Sequence, residues 1–333
     1  MTINDLIKQL FIAFSKKDDD SFYELAEEII NLEKRKKHNI LAKELKEALY
    51  NSDNFNVRTK RNYRINKPIP RDNDSGFPLV DVKKYNYLDW EQLILPENIK
   101  YELEQIINGY RSKEVLATYN LAPKLKYLFC GLPGTGKTYS VKILSSIMNL
   151  PLVYVNFDAI ISSYLGETAS NLRKVFEFIK DDNWIVLFDE VDIIGKNRDD
   201  QHESGEIKRV VNNFLQMIDN YNGESIIIAA TNHPHILDPA IWRRFDEVII
   251  FELPRKKERE KIIKLYLQTI KKDKNITLDY FVKETEGFSP SDIKTMCQDA
   301  VIHSVVNGRD VLSLDDLDYS LKKFKLRLKQ QGK

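Results

Sequence analysis

The 333-residue chain has only two cysteines, Cys130 and Cys297. Two thiols build neither a disulfide framework nor a cysteine-based zinc site, so a reducing, cytoplasmic compartment is the default expectation. Histidine is scarce as well. His38, His202, His233, His235 and His303 never form an HExxH pattern, which removes the zinc-metalloprotease reading. Charge of one sign is missing too: 51 Lys+Arg against 50 Asp+Glu leave +1, too little for bulk capture by nucleic acid or a membrane surface. No apolar run approaches the ~18 residues of a membrane span. The opening MTINDLIKQLFIAFSKKDDD lacks a basic n-region, and its longest apolar stretch is LFIAF, which predicts no signal peptide. What the chain does have is 42% hydrophobic residues beside 30% charged ones. That composition supports a sizeable core and excludes wholesale disorder. Its length corresponds to about two or three domains.

Residues 1–50 are predicted as a small helical module. Ile3, Leu6, Ile7, Leu10, Phe11 and Phe14 share one face at helical spacing. Ser21-Phe-Tyr-Glu24 reads as a capping box opening a second helix, and Leu41, Leu45, Ala48 and Leu49 mark a third. Residues 51–84 read as a linker, with six basic residues and no acid from Asn54 to Arg71 and flexibility expected near Asp72–Gly76. The Arg58–Arg71 run could touch nucleic acid, but its aromatic interleaving is limited to Tyr63. From 85 to 254, short apolar runs (KYLFC, LVYV, WIVLF, SIIIA, VIIF) alternate with amphipathic helices. This is the pattern of an α/β domain whose parallel sheet is covered on both faces. From 255 to 333 strands vanish, and helices are predicted over Lys256–Lys271, Pro290–Val306 and Ser313–Leu328. The six basic residues of Lys322–Lys333 read as a solvated helix face.

Two motifs carry chemistry. Gly131-Leu132-Pro133-Gly134-Thr135-Gly136-Lys137-Thr138 fits GxxxxGK[ST] between a strand and a helix beginning near Tyr139. Backbone N–H groups of such a loop close around phosphate oxygens, and the helix N-terminus adds favourable potential. Lys137 would reach the β- and γ-phosphates, and the Thr138 hydroxyl would ligate Mg²⁺. The second motif is an apolar strand, Trp184–Phe188, that ends in Asp189-Glu190. Burying a charge costs several kcal/mol unless it is paired. Asp189 suits Mg²⁺ through its waters, and Glu190 suits polarising an attacking water.

On these residues the chain resembles the AAA family of ATPases over about 87–325, closest in motif to the ESCRT-disassembling and microtubule-severing branch and to small bacterial AAA proteins. GLPGTGKT and WIVLFDEVD resemble its Walker A and Walker B segments. SIIIAATN resembles the strand ending in sensor 1, so the resemblance places Asn232 at the γ-phosphate. It places Asn156 where relatives restrain the catalytic glutamate. Leu237–Asp246 resembles the second region of homology, with Arg243 and Arg244 as a paired arginine finger. A guanidinium forks onto phosphate oxygens, and such a finger is worth ~10³–10⁵ in rate elsewhere. Gly287–Ile293 departs from the family pattern at Pro290-Ser291, and Tyr87–Glu97 lacks its Gly-Gly, so the adenine side around Leu93–Leu95 differs.

Tyr164-Leu165-Gly166 resembles the first pore loop of AAA unfoldases. An aromatic at a loop tip gives sequence-tolerant contact area, and glycine beside it lets the loop flex. Asn197–Gly205 lies where relatives carry a second pore loop, and His202 within it reads as a solvated loop residue. The resemblance implies a P-loop fold of the AAA+ type with a C-terminal helical lid. It further implies a homo-oligomeric ring, six-membered in the family, hydrolysing ATP with Mg²⁺ at subunit interfaces and acting on polypeptide. Three other readings stay open: a motor serving a separately encoded protease in a bacterial system, anti-phage defence included; a nucleic-acid loader; and a nucleotide switch that binds without cycling.

Overall fold

The structure is a computed structural model that describes residues 3–16, 19–35, 67–85, 88–157, 160, 168–194, 204–237, 239–268, 270–273 and 276–330. The chain divides into two compact units, Met1–Pro68 and Ile69–Lys333.

In the first unit, α1 (Ile3–Lys16) and α2 (Asp19–Arg35) pack against each other. Leu6 and Ala13, seven residues apart, and Ile30 are buried, and the Phe14 and Phe22 rings lie 6.1 Å apart. A two-helix hairpin covers only a narrow stripe, because a seven-residue repeat follows the seam between paired helices. The apolar face expected of α1 therefore splits: Leu6 is covered, while Ile7, Phe11 and Phe14 are exposed. The second helix begins at Asp19, so Ser21 sits inside its first turn rather than capping it. The helix expected over 41–49 lies outside the described residues.

The second unit begins in the segment expected to be a linker. Instead of a flexible stretch, Arg71–Pro78 is a closed turn built on Asp72. This buried carboxylate accepts from the Ser75 hydroxyl at 2.6 Å, the Ser75 N–H at 2.8 Å and the Asn171 side chain at 2.7 Å. Lys174 donates to the Arg71 carbonyl at 3.1 Å and to the Asn73 side chain at 2.9 Å. The chain then enters β1 (Val80–Lys83), which pairs antiparallel with a central-sheet strand. The alternation in VDVK was too short to stand out from a polar surround.

The remaining elements in order are α3 (Glu97–Arg111), α4 (Lys113–Thr118), β2 (Lys126–Gly131), α5 (Lys137–Met148), β3 (Leu152–Val155), α6 (Thr168–Lys180), β4 (Ile185–Phe188), α7 (Ser204–Asp219), β5 (Ile226–Thr231), α8 (Pro239–Trp242) and β6 (Glu247–Phe251). The sheet order is β1-β3-β4-β5-β2-β6, parallel except for β1. Ile226–Ile228, Leu128–Phe129 and Ile185–Phe188 are fully buried, as continuous apolar strands of a two-sided parallel sheet must be. One core gathers Leu103, Ile106 and Ile107 of α3 and Val141 and Leu144 of α5 with these strands. Elsewhere Phe176 and Phe214 close on Phe188 at ring separations of 5.7 and 5.1 Å. Asp246 pins the β2 entrance by accepting from the N–H groups of Leu125 and Lys126, both at 2.9 Å.

Beyond Pro254 lie α9 (Lys256–Tyr266), α10 (Leu278–Glu284), α11 (Pro290–Val306) and α12 (Leu314–Gln330) around their own core, which includes Ile263, Phe281, Met296 and Leu317. Strands do not vanish here: β7 (Lys271–Lys272) and β8 (Val311–Leu312) form a short parallel pair. The helix expected over Lys256–Lys271 stops at Tyr266, freeing the chain to extend into that pair. Buried Arg259 donates to the carbonyls of Val282 and Pro254, both at 3.1 Å, fastening α9 and α10 to the crossing between the two cores.

Candidate nucleotide site

A parallel sheet gathers its loops at the carboxyl ends of its strands. The loop leaving β2 runs through Gly134 and Gly136, at φ of 78° and 106°. α5 starts directly after Gly136 with no side-chain cap, so its first N–H groups face the loop's concavity. This is an anion cradle. Lys137 is 5% exposed, and its ammonium donates to the carbonyls of Gly131 and Leu132 at 2.8 and 3.0 Å and to Asn232 Oδ1 at 2.8 Å. Burial pushes this ammonium's pKa down, with Asp189 and Asp192 opposing.

Asp189 sits one residue beyond β4. Its Oδ2 accepts from the Thr138 hydroxyl at 2.8 Å and from the Tyr154 hydroxyl at 2.5 Å, and its Oδ1 accepts from the Glu190 N–H at 3.0 Å. Burial, and then the hydrogen bond to Asp189, push the Tyr154 phenol up, so it stays a donor. Glu190 is exposed at φ 54°, a left-handed conformation rare outside glycine. Such strain costs on the order of 1–3 kcal/mol and collects at functional positions. Buried Asp192 accepts from the Thr231 hydroxyl at 3.0 Å and the Asn232 N–H at 3.4 Å, tying the ends of β4 and β5 together.

Lys137, Thr138, Asp189, Glu190 and Asn232 line one cavity of about 1020 Å³ with Pro133–Gly136 and Tyr139. Its far wall includes Ile262, Tyr266, Lys294 and Val301 of the helical part, with Gln92 and Leu93 at the side. Tyr139 donates to Gln92 Oε1 at 3.1 Å, and Ser291 N–H donates to the Gly134 carbonyl at 3.2 Å. The break in pattern at Leu93–Leu95 therefore leaves apolar side chains beside the loop, with Leu93 and Leu95 3.7 Å from where a Cβ on Gly136 would stand.

Five expected site residues among the described ones lie outside that lining, two of them Gly131 and Leu132, whose carbonyls accept from the Lys137 ammonium. Asn156 follows β3, exposed, with its N–H held by the Leu79 carbonyl at 2.9 Å. Arg244 is spent within its own chain, donating to Asp219 at 3.1 Å and the Ala240 carbonyl at 3.0 Å. Arg243 is exposed and makes no hydrogen bond or ion pair among the described residues. Tyr164, Leu165, Gly166 and His202 lie outside the described residues. Sequence reasoning missed Tyr154 and Asp192. Their only signals were a hydroxyl in an apolar strand and a third acid after Asp189-Glu190.

A family model described as "ATPase family associated with various cellular activities (AAA)" matches residues 127–253, and one for the AAA+ lid domain matches 275–319. An AAA family ATPase of Sinorhizobium fredii is 32% identical over 96% of this chain and 95% of its own length. The chain belongs to the AAA family of ATPases. As an AAA ATPase it binds and hydrolyses ATP, on a parallel sheet flanked by helices with a lid domain. A proteasome-activating nucleotidase of Sulfurisphaera tokodaii is 34% identical over 81% of this chain and 71% of its own. A putative 26S proteasome regulatory subunit homologue of Methanocaldococcus jannaschii is 37% identical over 61% of this chain and 55% of its own. Among the described residues, no helix of this AAA ATPase is long and apolar enough to cross a membrane.

Proposed function

We propose that this ATPase works as a homo-oligomeric ring that spends ATP at subunit interfaces to remodel, unfold or translocate polypeptide through a central pore. The observation that carries this reading is the position of Arg243. The lining of the cavity contains Lys137 and Lys294 but no arginine among the described residues, while Arg243 stands exposed elsewhere with no hydrogen bond or ion pair among the described residues. A neighbouring copy offering Arg243, with Arg244 behind it, would complete the charge around a terminal phosphate. Lys137 and the loop N–H groups hold the β- and γ-phosphates, Glu190 polarises the attacking water, and Asn232 orients it beside the γ-phosphate. Asn156 stands at the end of the strand next to β4, where it can restrain Glu190.

The hydroxyl of Thr138 and the carboxylate of Asp189 are hard oxygen groups 2.8 Å apart, a set that would suit Mg²⁺, the hydroxyl as a ligand and the carboxylate through the ion's waters. When bound, the ion neutralises charge developing on the phosphates.

The names of relatives that are proteasome-activating nucleotidases support a protein substrate, gripped in this reading by Tyr164, Leu165 and Gly166. They also favour a second reading, in which a separately encoded protease receives the polypeptide.

The test mixes two inactive variants. Arg243→Ala and Lys137→Ala should each lack turnover alone, and mixing should restore part of it, because some interfaces then hold an intact pocket and an intact finger. Full activity of a strictly monomeric preparation, or mixing that never restores turnover, overturns the ring.

A further inference from the structure

Asp189 Oδ2 accepts hydrogen bonds from two hydroxyls at once. One comes from Thr138 at the start of α5, at 2.8 Å, and the other from Tyr154 on β3, at 2.5 Å. Tyr154 reaches across from the neighbouring strand: it pairs in register with Leu187, two residues before Asp189. With Oδ1 held by the Glu190 N–H at 3.0 Å, the carboxylate is fixed at three points. Only the Thr138 contact comes from a group that must also serve the metal. The Tyr154 contact comes from a side chain outside the cavity lining, on a strand paired on both sides, by β1 and β4.

We infer that Tyr154 is a positioning residue for the magnesium site, its hydroxyl holding Asp189 in the orientation that receives the ion's water shell. The inference rests on the reading of Asp189 given above. A carboxylate that faces an ion through water gains little from any single contact, so its orientation has to be imposed from behind. Groups that orient metal-binding carboxylates typically cost about 10–100-fold in metal affinity when removed. A phenol does this without adding charge, and its half-buried ring is already ordered by the strand.

The experiment titrates Mg²⁺ into the full-length protein with a fluorescent ATP analogue and reads the Mg²⁺ concentration at half-maximal binding enhancement. Analogue affinity in excess chelator and the thermal midpoint are measured alongside. Tyr154→Phe keeps the ring and removes the hydroxyl. It should raise the Mg²⁺ requirement by about 10–100-fold while leaving metal-free affinity as in the wild type and lowering the midpoint by no more than one hydrogen bond does, roughly a few degrees. An unchanged or lowered Mg²⁺ requirement overturns the inference. So does a loss of metal-free affinity as large as the Mg²⁺ shift, which would make Tyr154 a packing residue. Asp189→Asn separates the two levels. If Asp189→Asn abolishes the Mg²⁺ enhancement and Tyr154→Phe does not shift it, the inference alone fails. If Asp189→Asn leaves the enhancement intact, the underlying reading of Asp189 fails.

Discussion

The ammonium of Lys137 donates to Asn232 Oδ1 at 2.8 Å, joining the start of α5 to the end of β5. Under the function proposed above, the contact makes Asn232 a neutral holder of the cation that phosphate would claim. An amide can release the ammonium without leaving a buried charge behind. Asn232→Ala should therefore keep nucleotide affinity near that of the wild type while turnover falls by roughly 10²–10³, as when one preorganised polar group is lost from a reacting centre. Lys137→Ala should lose nucleotide binding itself. Equilibrium binding and single-turnover hydrolysis on both variants check this; equal losses of affinity would give Asn232 no separate role.

The two arginines should behave differently. Arg244 already holds Asp219 at 3.1 Å on a half-exposed surface, whereas Arg243 has no partner among the described residues. Arg243→Ala should lower turnover by about 10³ or more without moving the thermal midpoint. Arg244→Ala should cost stability as well, on the order of 0.2–1 kcal/mol as exposed ion pairs do. Asp219→Ala should reproduce that stability loss. Calorimetry and steady-state hydrolysis decide the assignment, and a larger turnover loss in Arg244→Ala would make Arg244 the principal finger.

What was legible in the sequence follows from how local each signal was. The strands KYLFC, LVYV and WIVLF were readable because burial on both faces forces continuous apolar runs. Lys137, Thr138, Asp189 and Glu190 could be nominated from the sequence because phosphate chemistry restricts residue type at fixed spacing, and the structure gathers them in one cavity. The Asp72 turn was not, because its meaning depends on Asn171 and Lys174 about a hundred positions away. Tyr154 was hidden for the same reason: its value lies in Asp189, on another strand. The short β7–β8 pair has two-residue strands, below any pattern length.

The Asp72 turn should be sensitive to acid. The Ser75 hydroxyl, then the Ser75 N–H and the Asn171 amide, hold the carboxyl down at about 2, well below its ordinary value. A group whose pKa is depressed on folding contributes stability that is present above the unfolded value of about 4 and lost as pH falls through the folded one. Asp72→Asn should thus lower the thermal midpoint at neutral pH, and its gap from the wild type should narrow between pH 4 and pH 2. A gap that stays constant over that window would mean that the charge contributes nothing.

Gly134 connects the phosphate loop to the lid. Its φ is 78°, and a Cβ there would stand 2.7 Å from Ser289 Oγ and 2.8 Å from Ser291 Cβ. Ser289 cannot swing aside cheaply, because its hydroxyl is committed to Asp292 in the capping box that opens α11. Gly134→Ala therefore has to push the start of α11 away, breaking the Ser291 N–H bond to the Gly134 carbonyl, beyond the ~1–2 kcal/mol of left-handed strain. Gly136→Ala carries comparable strain at φ 106°, but its Cβ would meet only Leu93 and Leu95 at 3.7 Å. Amide exchange without nucleotide should accordingly quicken at Ser291–Ile293 in Gly134→Ala and stay near wild-type rates there in Gly136→Ala. Equal exchange in the two variants would mean that backbone strain alone, and not the loop–lid contact, governs this junction.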